Sequence, residues 1–395
     1  MLSKEENDLL TQTGPSTPCG DFMRRYWQPV ALAEELPADG PPIPARVLGE
    51  NLVIYRDAEG SLGLLGRYCS HRGADLCRGF PEPEGLRCSY HGWLYNAKGQ
   101  CLEQPLEPPE STFREEIQHP AYPVVERSGI VFAYLGPGAP PLLPEYEFLA
   151  VPDDQRRTAK YIQECNYLQG NEGNIDPFQM LFLERVLGLS PEGTQSFGGD
   201  SPMSVEAEPT DFGLRLISTR PTSSDQKSVA IRNFLYPSLS LVPSVGFDGY
   251  TVHWHVPMDD THHWRFVFTF RRDGPITEEQ ARANGVETTE DYRLVADKSD
   301  LLSGQAKPVN YIAYATLMIE SQGPIHDRTQ ETLGYSDQGL VLMRNVVHKA
   351  IQDVQEGADP PHVIRDPESN RLAHIQAGES ILANDDDWRP HLEGV

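Results

Sequence analysis

Residues 69 to 93, CSHRGADLCRGFPEPEGLRCSYHGW, constrain this chain more than any other stretch. Cys69 and His71 form a C-x-H arm, Cys88 and His91 form a C-x-x-H arm, and sixteen residues separate the two. Each arm offers one thiolate and one imidazole. Two thiolates can hold one iron of a sulfide-bridged pair while two imidazoles hold the other, and replacing thiolates by neutral imidazoles raises the reduction potential. Gly73 and Gly92 follow the last ligand of each arm, where a tight loop needs glycine's conformational freedom. Zinc also accepts Cys2His2 sets, but usually as C-x2-4-C paired with H-x3-5-H rather than as mixed arms. The pattern points to a 2Fe–2S cluster on Cys69, His71, Cys88 and His91.

At 395 residues the length favours two domains. The other cysteines (Cys19, Cys77, Cys101, Cys165) are too scattered for a disulfide framework, which fits a reducing cytoplasm. Cys77 lies near the first arm, but the second arm offers Ser89, so no cysteine pair links the loops. No apolar run is long enough to span a membrane, and MLSKEENDLLTQTG lacks the basic-then-apolar pattern of a signal peptide. The formal net charge of −25 argues against nucleic acid, whose phosphates it would repel. It is compatible with docking a basic electron donor and equally with a solvated acidic surface.

In chain order, residues 5 to 13 read as a short amphipathic helix stopped by Gly14-Pro15. The runs 46–56 and 62–67 flank the hairpin signal Asp57 to Gly60, and the second run leads into the first arm. Strands are expected beside the turn Asn96 to Gly99 and at 122–125 and 129–135, making an all-β domain over 27–136 with the cluster at its tip. The stretch from Gly136 to Pro144 is rich in Pro and Gly and reads as a linker. Beyond it an α+β domain over 137–395 is expected, with residues 1–26 packing on the body. Its expected helices are 165–188 (interrupted near Gly170 and Gly173), 277–283, 290–302 and 337–355. Its strands are 214–219, 228–235, 238–243, 250–256 and 263–271. After 356 an irregular surface wrap is expected.

The motif C-x-H-x15-17-C-x2-H, together with GPSTPCGDFMRRYWQPVALAEELP, VPMDDTHHW and ESQGPIHDRTQETLGYSD, resembles the oxygenase (α) subunits of Rieske non-heme iron oxygenases. The phthalate 4,5-dioxygenase and phenoxybenzoate dioxygenase-like group is the part of the family it resembles. The resemblance implies an α+β fold: an antiparallel β Rieske domain joined to a helix-grip (START-like) catalytic domain. It implies reductive activation of O2 at a mononuclear Fe(II), to hydroxylate, dihydroxylate or demethylate a small and often carboxylated aromatic compound. The substrate pocket is then expected inside the helix-grip sheet, lined from the strands over 228–270.

The family's Asp-x2-His-x4-His falls on Asp176, Gln179 and Glu184, so the carboxylate is kept and both histidines are replaced. Asp337, in GYSDQGLV, matches the distant carboxylate ligand. Oxygen donors of this kind suit Mg, Ca or Mn better than an oxygenase iron. Gln179 and Glu184 read either as polar residues of a vacated pocket or as an altered metal site. The resemblance makes Asp176 a bridge between a ligand histidine and a cluster histidine of the neighbouring subunit, and its place ahead of Pro177 also suits a helix N-cap. His253 and His255, two apart on a strand, share a face, and the HWHVPMDDTHHW stretch resembles what iron-binding family members also have, which implies a structural or pocket role for them and for His262 and His263 rather than that of substitute ligands. His119, His348, His362, His374 and His391 read as surface or packing residues.

Three functions follow. One is an oxygenase α subunit with a rewired iron site. The second is a catalytically silent, electron-relay subunit feeding an active homologue in a mixed ring. The third is a substrate-binding or regulatory relative. No G-x-G-x-x-G stands between a strand and a helix, so electrons would come from NAD(P)H through a separate reductase or ferredoxin. A homotrimer, or a mixed trimer or hexamer, is implied, with no nucleic-acid or membrane partner.

Overall fold

A computed structural model describes residues 1–179, 203–287, 292–294 and 311–392. Glu184 and most of the 290–302 helix expected from the sequence lie outside them. The chain divides into two units, one of Gly14–Ser16 with Met23–Pro141, the other of Met1–Thr13, Thr17–Phe22 and Leu142–Val395.

The smaller unit is built from three antiparallel sheets. One pairs Trp27–Leu32 with Ile130–Tyr134 and Val124–Arg127. The second joins Ile43–Val47, Glu50–Arg56, Leu62–Gly66 and Ala121–Tyr122. The third joins the short strands Phe80–Glu82, Gly85–Arg87, Leu94–Tyr95 and Cys101–Glu103. The single run expected over 46–56 is in fact parts of two strands. Leu48 and Gly49 both have positive φ (+49° and +79°) and close a two-residue hairpin, whose twist matches its flanking strands. Gly49 was the signal that an apolar run conceals. Beneath the cluster arms Val53, Tyr55 and Leu65 pack with Leu76, Leu86 and Trp93, so one core anchors both loops.

The larger unit holds an eight-stranded antiparallel sheet. Its spatial order is Arg156–Gln163, His262–Phe270, Tyr250–Asp259, Leu239–Pro243, Gln226–Leu235, Gly213–Pro221 and Ser204–Thr210. The tail after 356 is not wholly irregular. Leu239–Pro243 covers only the Asn233–Leu235 end of its neighbour, and Gly378–Ala383 pairs with the remaining Gln226–Ile231 edge. An edge left open would strand backbone donors and acceptors, so a distant segment fills it.

Helix Tyr167–Ile175 starts at Asn166, whose side chain accepts from Leu168 N–H, and it runs through Gly170 and Gly173 without the expected interruption. At Gly170 a Cβ would stand 2.4 Å from His255 Nδ1, so glycine here permits close approach to the sheet rather than breaking the helix. The helix ends at Asp176 instead. Helix Gln338–Gln355 buries Met343, Val347, Ala350, Ile351 and Val354, three or four residues apart, as an amphipathic helix on a sheet must. A buried ionic cluster ties these helices together: Glu172 accepts from Arg328 and Arg344, and Arg344 also reaches Glu331.

Candidate metal centres

The two cluster arms fold alike. In the first, Gly73 N–H donates to Cys69 O (2.8 Å) and Cys69 N–H to Ala74 O (2.9 Å). In the second, Gly92 N–H donates to Cys88 O (3.0 Å) and Cys88 N–H to Trp93 O (2.8 Å). Gly73 and Gly92 sit at φ of +72° and +75°, the left-handed region that closes each loop at little steric cost. Cys69 and Cys88 are buried, each 3 % exposed, whereas His71 is exposed and His91 half-buried. The imidazoles are neighbours, with ring centroids 4.7 Å apart, and His71 stacks on Trp93 at 4.6 Å and 9°.

This is a two-plus-two arrangement, a thiol pair inside and an imidazole pair outside. Among the described residues no three Cys, His, Asp or Glu side chains converge on one point, as a single zinc would require. A two-iron cluster instead takes one pair at each end, so the residues present fit it. Burial and the adjacent Cys69 push the Cys88 thiol above its usual value. Desolvation first, then His71 and Arg72, holds His91 below the usual histidine value. Supporting groups surround the pair. The Tyr95 hydroxyl lies 3.2 Å from Cys69 Sγ. Buried His119 stacks on Tyr95, donates from Nε2 to Gly66 O (2.8 Å) and accepts at Nδ1 from Ser70 (2.7 Å). The sequence placed His119 among surface or packing residues, and its bracing of the first arm had no local signal. Cys77 is a free thiol, pushed up to about 11 by burial and by Asp75.

The second centre is less complete. The Asp176 carboxylate accepts from Phe178 N–H (2.8 Å) and Gln179 N–H (3.4 Å), so it caps the turn that begins at Pro177. Burial raises its pKa, the charge of Asp337 raises it further, and Arg232 pulls it back. Asp337 accepts from Gly334 N–H (2.7 Å) at the start of the long C-terminal helix. Gln179 and Asp337 offer oxygens, and Glu184 lies outside the described residues. The donors present do not fit the imidazole-rich site of a mononuclear oxygenase iron.

The strand histidines do not restore it. The Cys165 carbonyl can only accept, so His263 carries its proton on Nδ1 (2.8 Å). His263 Nε2 then accepts from His255 Nδ1–H (2.9 Å), and His255 Nε2 accepts from the Asn174 amide (2.6 Å). Gln163 Nε2 otherwise lacks a partner. Turning that amide brings it toward His263 Nε2, 2.9 Å from the present oxygen. Both rings are fully engaged and neutral, with burial pushing His263 down to about 3 and His255 well below its ordinary value. His253 accepts at Nδ1 from Arg265 (3.0 Å). All three rings are taken up by the protein's own hydrogen bonds.

Known proteins resemble the chain throughout. A model of the Rieske [2Fe-2S] domain matches residues 26–123, and one described as LigXa C-terminal domain like matches 198–393. The phenoxybenzoate dioxygenase subunit alpha of Ectopseudomonas oleovorans is 32 % identical, covering 95 % of this chain and 92 % of its own. The oxygenase subunit of tert-butanol monooxygenase / tert-amyl alcohol desaturase from Aquincola tertiaricarbonis is 33 % identical, covering 90 % and 78 %. The terminal oxygenase of carbazole 1,9a-dioxygenase from Nocardioides aromaticivorans IC177 shares the fold, with a TM-score of 0.61 at 19 % identity over 88 % of this chain and 100 % of that one.

Proposed function

The chain belongs to the Rieske non-heme iron oxygenases as an oxygenase (α) subunit, and from that premise we propose that it works in a system that hydroxylates or demethylates a small, carboxylated aromatic compound with O2. Electrons would come from NAD(P)H through a separate reductase or ferredoxin. The observation that carries this reading is the buried thiol pair beneath an outward imidazole pair. Cys69 and Cys88 would hold the inner iron and His71 and His91 the outer one, and the bound cluster supplies one-electron transfer. The exposed His71 edge brings the outer end to the surface, and Trp93 fixes that ring by stacking. Tyr68, Phe80 and Tyr90, each more than half exposed, offer apolar contact beside the arms to an electron donor. The relatives' names span unlike substrates.

A second reading is favoured by the oxygen donors at Gln179 and Asp337. The chain would then relay electrons to an active homologous α subunit in a mixed ring. Iron per chain, with EPR of the dithionite-reduced protein, separates the two. About three irons and turnover by this chain with a reductase support independent oxygenation. About two irons, all within a Rieske signal, and turnover only after adding a homologous α subunit support the relay. A protein with no such signal would sink both.

A further inference from the structure

His119 stands well after both ligand arms in the chain, yet its ring meets Ser70 of the first arm and Tyr95 of the strand that follows the second. It is 1 % exposed and lies just before strand Ala121–Tyr122. The backbone here is fixed on two sides. His119 N–H donates to Gly99 O (2.7 Å), and Gly66 N–H donates to Pro120 O (2.8 Å). The ring is therefore carried on a well-anchored stretch.

Its hydrogen bonds can be directed without ambiguity. The Gly66 carbonyl can only accept, so His119 carries its proton on Nε2 and leaves Nδ1 as an acceptor. Burial holds the ring below the ordinary histidine value against the pull of that carbonyl, so Nδ1 stays open. Ser70 then donates its hydroxyl proton to Nδ1 at 2.7 Å. Ser70 has one such proton, so none is left for a cluster sulfur. The Tyr95 hydroxyl differs. It lies 3.2 Å from Cys69 Sγ, and a thiolate there can only accept. A hydrogen bond to a cluster sulfur favours the more negative, reduced state and raises the potential. Tyr95 is fully buried, and His119 lies against its ring at 4.5 Å and 30°, which fixes the direction of that hydroxyl.

We propose that His119 is a positioning residue of the redox centre: its ring, moored to Gly66 and Ser70, holds the Tyr95 hydroxyl on Cys69 Sγ and so raises the cluster potential. The inference rests on reading Cys69, His71, Cys88 and His91 as the cluster ligands. Groups that orient a ligand from behind tune a metal centre without touching it. The competing role, a packing residue alone, would change how firmly the smaller unit folds and not the potential of the cluster it holds.

The test is an EPR-monitored redox titration of the full, cluster-loaded protein as wild type, Tyr95→Phe, His119→Gln and the double variant. His119→Gln keeps an amide donor for Gly66 O and removes both the stacked ring and the acceptor for Ser70. It is expected to lower the potential by at least about half the Tyr95→Phe shift, and the two shifts should not add in the double variant. An unmoved potential in His119→Gln, or additive shifts, overturns the proposal. Ser70→Ala in the same cycle does not depend on a His119 variant holding its cluster. It frees one end of the ring and should lower the potential only while Tyr95 is present. No shift, or one that adds to that of Tyr95→Phe, overturns the proposal as well. The ligand reading fails in a different way. A wild-type protein without a Rieske signal removes that reading and this inference with it, whereas a signal whose potential ignores His119 removes the inference alone.

Discussion

The cluster arms and the helix-grip centre are both ligand sets in one chain, yet they are built on different scales. All four proposed cluster ligands fall between Cys69 and His91, and each arm is shaped by its own glycine and its own short backbone bonds. Asp176 and Gln179 stand on one segment and Asp337 on another far along the chain, its charge acting on Asp176, and a buried salt-bridge cluster through Glu172, Arg328 and Arg344 ties helix Tyr167–Ile175 to helix Gln338–Gln355. A site made of local turns needs only its own few residues to be correct. A site made by tertiary packing can keep its scaffold, its capping Asp176 and its carboxylate while losing the side chains that chelate. The scaffold around the replaced histidine positions is therefore a poor witness to the metal.

The largest expected effect sharpens that contrast. Cys88→Ser should abolish the cluster, removing the reduced Rieske EPR signal altogether, while the thermal transition of the larger unit persists. A variant that kept the signal would overturn the ligand assignment. Next, Gln179→His combined with Glu184→His should raise iron by about one per chain if the scaffold is intact, since imidazoles supply the donors that the present side chains lack. No gain in iron would show that the packing, and not only the ligands, has changed.

Acid should strike the helix-grip unit through its neutral histidines. Burial holds the folded-state pKa of His263 near 3 against an ordinary 6.5, and that of His255 is depressed too. Stability from keeping these rings neutral is present above 6.5 and is lost as pH falls toward the folded value. At pH 5 the loss is about 2 kcal/mol for His263, and His255 adds a loss of the same sign. Thermal midpoints measured from pH 7 to pH 4.5 should fall, and His263→Asn should flatten that dependence. An unchanged slope would mean that other groups carry it.

The smallest effect lies at the cluster. Tyr95→Phe removes the hydroxyl beside Cys69 Sγ, worth about 1 kcal/mol, and should lower the cluster potential by roughly 40 mV. A protein-film voltammogram checks it, and an unshifted wave would leave Tyr95 a packing residue.

Much of the chain was legible before its fold. The Cys/His arms, their glycines, the short N-terminal helix and the amphipathic run ending at Gln355 each declare themselves within a few residues, because turns and helical faces are short-range physics. The hairpin at Leu48-Gly49 was misread because an apolar run hides a turn when its only marker is one glycine. The pairing of Gly378–Ala383 was invisible, since it depends on an edge left bare by a strand more than a hundred residues earlier.

Tertiary structure alone decided the interior of the helix-grip unit. Alternation told that His253 and His255 share a face, but not that the face looks inward onto Asn174, His263 and Arg265. The tautomers of His255 and His263 follow from a single carbonyl at Cys165 that no spacing reveals. Arg232 is one basic residue in a strand until the register sets it beside Ser218 at the buried end of a cavity. Local sequence determines which shapes the backbone can adopt, whereas burial determines which polar groups lose water and must find one another.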